Sequence, residues 1–477
     1  MSGRALFVFN HDLRLRDHAG LAAAARHGAV VPALVIDASL AARLRRSPRR
    51  AAFFCAAVRA LDADLRARGA HLIVRRGPAG STARALARAA GAGAVGWSLS
   101  YDAKGIQSDR DVQSRVEEAG LRAVPAHDAP VIAPEDTAVA NRRGDGYRAF
   151  VPYYARWKAQ IPAPAFPDAA FDPADIASEA LPDPAEFGAV GEREPRIPEA
   201  TGLEALDAFL QMPVLHFAIA RNVPSIGGTS RLAAHLSFGT LAARGVVRAA
   251  CARAADPFLL VEEQASIKTF LRALAQRDFF LQLGWHSESL AEGPLQPKMR
   301  DFRFARTHRD LDAWRSGRTG YPLVDAGMRQ LRATGWMHPR VRTIAASFLC
   351  FDLGVDWRVG RDDWEQWLIE DAPALATGNW QWIAGVGADL AAYPRIYNPL
   401  KQARRFDPAA EYIRTWIPEL AGHPDDAILH PASARANPQL QLALFGNGDY
   451  PAPIVDHEAA ARAFLERYSR EVRAVTA

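Results

Sequence analysis

Through its first 130 residues the chain alternates short runs that are apolar at every position with alanine- and arginine-rich stretches of helical period. The apolar runs are ALFVF (5–9), VVPALVI (30–36), HLIVR (71–75), AVGWS (94–98) and LRAVP (121–125), with helices between them, notably over 49–68 and 81–91. A strand that is apolar throughout is covered on both faces, and strands alternating with helices form a parallel sheet with crossovers. Residues 1–130 therefore read as a doubly wound α/β domain. Residues 131–200 read as an interdomain linker. Proline, alanine, aspartate and glutamate crowd its second half (PAPAFPDAAFDPADIASEALPDPAEF), and prolines at that density interrupt both helices and sheets. Over 201–477 the period turns helical, in LAAHLSFGTLAARGVVRAACA, SIKTFLRALAQRDFFLQLG, YPLVDAGMRQLRATG and DDWEQWLIE. Pro322 stands where a first-turn proline belongs and Gly335 where a C-terminal glycine does. The second domain is expected to be all-α.

Composition changes this picture little. At 477 residues the chain exceeds what one core supports, which agrees with two domains. It is 49% hydrophobic and 23% charged, with a net charge of +5 carried mostly by arginine, a balance that permits an acidic partner and favours bidentate phosphate contacts. Cys55, Cys251 and Cys350 lie far apart among apolar residues without metal-ligand spacing, as expected of buried thiols in a reducing compartment. No run approaches the roughly 18 apolar residues of a membrane span, and the N-terminus carries no signal pattern, so a soluble cytoplasmic monomer is expected. No GxGxxG follows the first strand, which argues against a dinucleotide site there.

The candidate chemistry lies later in the chain. Nine of the eleven tryptophans fall at or after Trp285, interleaved with arginines. Flat aromatic groups beside guanidinium groups suit an aromatic cofactor and a polyanion. GGTSRLAAHLSFG (227–239) sets two glycines, Thr229 and Ser230 ahead of a helical pattern, where hydroxyls, helix N–H groups and Arg231 would form an anion site. Arg340 and Arg342, two residues apart in the first turn of RVRTIAASFL, point in different directions on a helix. Trp364, Trp367 and Leu368 have the spacing of a core-facing helical stripe. LKQARR, with Lys401, Arg404 and Arg405, is a basic run that suits a solvated loop as well as a phosphate groove.

The tokens TGYPLVDAGMRQL, GWMHPRVR, ASFL, GNWQW, RIYNP and YIRTWIPEL follow one another over about a hundred residues. In that order they closely resemble the flavin-binding helical domain of the photolyase/cryptochrome family, and FNHDLRLRDHAGL, with Asn10 and His11, resembles the family's opening signature. The resemblance implies FAD as cofactor. It assigns the flavin diphosphate to Thr229, Ser230, Arg231 and Leu232, and places Phe217, Phe270, Trp336, Glu370 and Asp371 around the pocket. Arg277 in QRDFF matches the arginine of the family's WREF motif, Arg342 contacts the isoalloxazine, and Ala376 stands opposite the reactive flavin nitrogen. Trp380 and Trp357 take the inner positions of the family's tryptophan relay, whose outer position falls at Phe304. Damaged DNA is the implied partner, held at its backbone by Arg340, Lys401 and Arg404 and at the lesion by Gln276 and Trp382.

Several positions depart from the family pattern. In ALAQRDF, Ala273 replaces a glutamate and Gln276 a tryptophan that touch a cyclobutane dimer; Thr343 replaces a methionine, Pro339 an asparagine, and Ala372 an acidic residue. Ala376 replaces asparagine or aspartate. YDAKGIQSDRDV (101–112) lacks the Asn-Glu pair of folate-binding members, so the antenna chromophore is unknown. The leading expectation is blue-light repair of UV pyrimidine photoproducts, by electron transfer from reduced flavin to a lesion flipped out of the duplex. The alternatives are a cryptochrome-like photoreceptor that binds FAD without repairing DNA and a flavoprotein scaffold without photochemistry.

Overall fold

The computed structural model describes residues 3–137, 139–141, 144–189, 191, 199–388, 393–429 and 450–473. Residues 138, 142, 143, 190 and 192–198 of the expected linker lie outside the described residues. The chain divides into two compact units. The first comprises residues 1–215, 230–291 and 369–375, and the second residues 216–229, 292–368 and 376–477.

The first unit is built on five parallel strands, β1 (Arg4–Phe9), β2 (Ala29–Ile36), β3 (Ile73–Arg76), β4 (Ala92–Ser98) and β5 (Arg122–Ala126), in the order β3-β2-β1-β4-β5. All five apolar runs of the sequence are strands, and each side of the sheet is buried as their composition requires. Phe7, Val30, Leu34 and Val74 join one core cluster, while Leu6, Val8, Val31, Val35 and Ile73 join another, the alternation that a pleated strand imposes. Pro32 sits inside β2, where a missing N–H would ordinarily break a ladder. On that edge the Val30 amide donates to the Ala170 carbonyl at 2.8 Å, and β3 begins to pair only at Ala33, so Pro32 falls between two partners. The helix Pro48–Arg66 starts with proline in its first turn and with the Ser47 hydroxyl accepting from the Arg50 amide.

The run LAAHLSFGTLAARGVVRAACA forms two helices instead of one, Ala233–Ser237 and Ala243–Ala254. The break follows from Gly239, at φ 63°: a Cβ there would lie 2.5 Å from the Cα of Asp12 and from the His11 carbonyl, so the backbones meet where only glycine fits. The 26-residue helix Val261–His286 completes the α-helical part of this unit.

The second unit is helical. Pro322 opens the helix Pro322–Thr334 and Gly335 closes it at φ 72°, both as expected. Pro339–Ser347 passes into a wider π turn over Phe348–Asp352, and Trp357–Trp364 follows. DDWEQWLIE is helical only to Trp364. The chain then turns, with the Trp367 and Leu368 amides both donating to the Trp364 carbonyl. Trp314, Trp357, Trp364, Trp380 and Leu368 lie in one core cluster, with Trp367 packed at its margin.

Candidate functional site

In the first unit, Arg277 is carried by the helix Val261–His286. Its guanidinium donates to the Ala129 carbonyl at 2.7 Å and to the Leu236 carbonyl at 3.1 Å. Beside it, Asp278 accepts from the Val131 amide and the Trp157 indole; burial pushes this carboxyl up to about 6, against the opposing pull of Arg277. Arg277 thereby ties its helix to the segment that follows residues 229–232. That segment does not begin a long helix. Ala233–Ser237 is five residues long, and Leu232, at its start, provides no side-chain cap. Thr229, Ser230 and Arg231 therefore precede a single helical turn and not a long helix, because docking at Gly239 cuts the helix short. What remains is a pair of hydroxyls, Thr229 in the second unit and Ser230 in the first, and the exposed Arg231, whose φ of 52° is unusual for a residue with a side chain.

Phe270 is buried against Phe209, ring centroids 4.9 Å apart. Gln276 is half-buried on the same helix. Residues 369–375 are anchored by arginines from early in the chain. Arg43 approaches the Asp371 carboxylate at 3.5 Å and Arg50 at 3.7 Å, Arg50 donates to the Glu370 carbonyl, and the Asp371 amide donates to the Ser237 hydroxyl. Burial would raise the Asp371 carboxyl, but Arg43, Arg50 and His11 outweigh it and hold it at about 2. Arg43 also bonds His11, whose imidazole is held at about 4 by burial and by Arg43. The Asp371 carboxylate is thus engaged in an internal ion-pair network. His11 stood out only as part of the opening signature and the two arginines not at all, since nothing local marks a partner more than 300 residues away.

In the second unit, Arg340 donates to Asn222 Oδ1 at 3.2 Å, and its guanidinium lies over the Phe406 ring at 4.8 Å. Arg405 covers the same ring at 5.2 Å, while Arg221 lies over Phe217 at 5.2 Å. Burial lowers the proton affinity of Arg340 and Arg221; Arg405 adds to the first effect and Arg340 to the second. The half-buried Arg340 and Arg221 repel each other and the exposed Arg405 repels Arg340, an arrangement that favours an anion. Sequence reasoning found Arg340 but missed Arg221 and Asn222, because an isolated Arg-Asn pair carries no pattern. On the helix Pro399–Phe406, Lys401 is exposed, whereas Arg404 reaches back to the Leu429 carbonyl at 3.4 Å. Arg342 donates from Nε to the Met337 carbonyl at 2.9 Å, and Trp336 packs edge-on to His338. Ala376 and Trp382 are half-buried on the helix Pro373–Ile383, and Trp380 is buried there.

Two family models match the chain, the DNA photolyase model over residues 5–170 and the FAD binding domain of DNA photolyase over residues 270–470. The deoxyribodipyrimidine photo-lyase of Halobacterium salinarum is 34% identical, with 98% of each chain covered. The chain belongs to the photolyase/cryptochrome family. Among solved structures, this photolyase-family chain resembles a class III photolyase from Agrobacterium tumefaciens (TM-score 0.86, 28% identity, 98% of each chain covered). It also resembles a cryptochrome from Synechocystis (TM-score 0.87, 25% identity, 98% and 99% covered). The family cofactor is FAD. Each unit taken by itself carries donors of the kind it takes: the Ser230 hydroxyl and Arg231 guanidinium in the first, and the Thr229 hydroxyl and Arg342 guanidinium in the second. Among the described residues, no single helix is long and apolar enough to cross a membrane.

Proposed function

We propose that the protein is a blue-light-driven photolyase that repairs UV pyrimidine photoproducts in DNA, working as a monomer. Bound FAD supplies the one-electron photochemistry. The chain's own residues hold the cofactor and seat the nucleic acid. The observation that carries the reading is the cluster of Arg221, Arg340 and Arg405 over Phe217 and Phe406, with Asn222 fixing Arg340. Fixed guanidiniums of this kind bind phosphate oxygens and set the register of a duplex without reading its sequence. Lys401 adds a point charge, and Trp382 offers an aromatic face to an extruded base. The name deoxyribodipyrimidine photo-lyase, carried by the Halobacterium relative, supports the same reading.

A second reading, a cryptochrome-like photoreceptor that binds FAD without repairing DNA, draws on Ala273 and Gln276, where lesion contacts are lost, and on the likeness to the Synechocystis cryptochrome. The experiment that separates them is blue illumination of the purified protein with lesion-bearing oligonucleotides beside a dark control. Light-dependent disappearance of the lesion is the expected result. A yellow, light-responsive protein that leaves every lesion intact would establish the second reading.

A further inference from the structure

The expected relay runs from Trp380 to Trp357 and then outward to Phe304, and the packing of the second unit gives that route two faults. Phe304 packs edge-on against Phe302 and stacks on Phe464, so the outer position lies among phenyl rings, which give up electrons far less readily than indoles. Trp357 carries two cations on its ring: the guanidiniums of Arg358 and Arg361 lie 5.5 and 5.2 Å from its centroid. A cation over an indole stabilises the neutral ring and repels the positive charge left when an electron departs. Arg358 is paired with Asp356 and Arg361 with Asp362, which weakens this field without removing it.

A different set of indoles has neither fault. The Trp364 ring centroid lies 4.5 Å from that of Trp380, and Trp364 is stacked on Trp314 at 6.2 Å with 11° between planes. Among the described residues no cation lies over Trp380, Trp364 or Trp314. The Trp314 indole N–H donates to the Ala345 carbonyl at 3.0 Å, a dipole oriented to stabilise positive charge on that ring. The half-buried Trp367 is the next indole along the chain from Trp364, but Arg332 covers its ring at 4.5 Å and disfavours it in the same way as Trp357.

We propose that Trp364 and Trp314 are the second and third stations of the electron relay from Trp380, in place of Trp357 and Phe304. The proposal rests on the reading of the protein as a photoactive flavoprotein. One electron passes from Trp314 to Trp364 and one from Trp364 to Trp380, which replaces the electron that Trp380 gives to photoexcited FAD. No bond forms or breaks, and no proton moves, because the Trp314 N–H faces a carbonyl that cannot accept one. A thiolate in solution returns the electron to Trp314 and becomes a thiyl radical, and two such radicals couple to a disulfide. Since that ring is fully buried, the return is slow and the protonated indole radical cation persists.

The test is flash photolysis of the FAD-loaded protein in excess dithiothreitol, for the unmodified chain and for Trp364→Phe, Trp314→Phe and Trp357→Phe. The signal is the transient absorption of the indole radical cation, with retained yellow colour as the check on folding. The expected result is a roughly tenfold loss of long-lived radical in Trp364→Phe and Trp314→Phe, the size of a barrier raised by one decade in rate, with little change in Trp357→Phe. Loss of the signal in Trp357→Phe with retention in Trp364→Phe would overturn the relay. A protein that stays colourless in added FAD would overturn the flavoprotein reading and the relay with it, so the two failures are distinguishable. In the dark, without flavin, the Trp364–Trp380 pair should give an exciton couplet in circular dichroism that Trp364→Phe removes; its absence from the unmodified protein would also overturn the proposal.

Discussion

Asp128 and Arg14 form an ion pair inside the first unit, Oδ1 to Nη2 at 2.7 Å, with each side chain 3% exposed. The Ala19 amide donates to the same carboxylate oxygen at 2.9 Å. Burial would raise the Asp128 carboxyl, but Arg14, His18 and the Ala19 amide outweigh it and hold it at about 2, below its ordinary 3.8. A depressed carboxylate contributes stability that is fully present above the unfolded value and is lost as pH falls through the folded one. Denaturant titrations should therefore show a loss of about 2 kcal/mol from this group between roughly pH 4 and pH 2. Asp128→Asn should cost about 3–5 kcal/mol at neutral pH, since Arg14 would be left buried without its counter-charge.

Gly360 lies inside the helix Trp357–Trp364, where alanine would ordinarily gain about 1 kcal/mol of helix propensity. A Cβ at that position would overlap the Trp380 ring and Leu349. Overpacking of a buried site costs about 1–3 kcal/mol, so Gly360→Ala should lower the melting temperature despite the better helix former. The accompanying change in tryptophan fluorescence would locate the strain at Trp380. A melting temperature that rises would mean that this core yields more easily than its packing suggests.

Arg340→Ala should weaken binding to every DNA sequence alike and reduce the slope of log affinity against log salt by about one unit, because one phosphate contact and its released counterion are lost. The same change at Arg221 should act in the same direction. Fluorescence anisotropy across a salt series measures both, and an unchanged slope would remove Arg340 from the phosphate contacts.

Gln276 and Ala273 offer neither the stacking wall nor the acidic contact that a cyclobutane dimer takes from other family members, while Trp382 keeps one aromatic face. Base–aromatic stacking contributes roughly 1–3 kcal/mol per base, so lesion preference should be about ten- to a hundredfold weaker than with both walls present. The double change Gln276→Trp and Ala273→Glu should raise affinity for the dimer over undamaged DNA. Efficient repair of duplex dimers by the unmodified chain would mean that another side chain supplies the wall.

The strands could be read from composition because β1, β2 and β4 are buried on both faces, whereas β5, at the sheet's edge, is only half-buried, and Pro322 and Gly335 marked their helix by local backbone chemistry. What the sequence concealed depends on distant partners. Gly239 breaks a helical pattern because the backbone of His11 and Asp12 lies against it, more than 200 residues away in the chain. Trp364 was legible as a core residue from its helical spacing, but nothing periodic links it to Trp380. Nothing in the sequence marks Arg43 or Arg50, and only the fold brings Asp371 to them.

The division of the chain also bears on its synthesis. The first unit is incomplete at Leu215 and needs residues 369–375, whose Asp371 pairs with Arg43 and Arg50. A ribosome adding roughly 5–20 residues per second takes about 8–30 s to cover that interval. During that time all five strands have been synthesised, while Asp371 has not. Until then Arg43 has only its early partners, among them Asp102 at 3.8 Å, and the seven-residue segment from late in the message brings the second carboxylate.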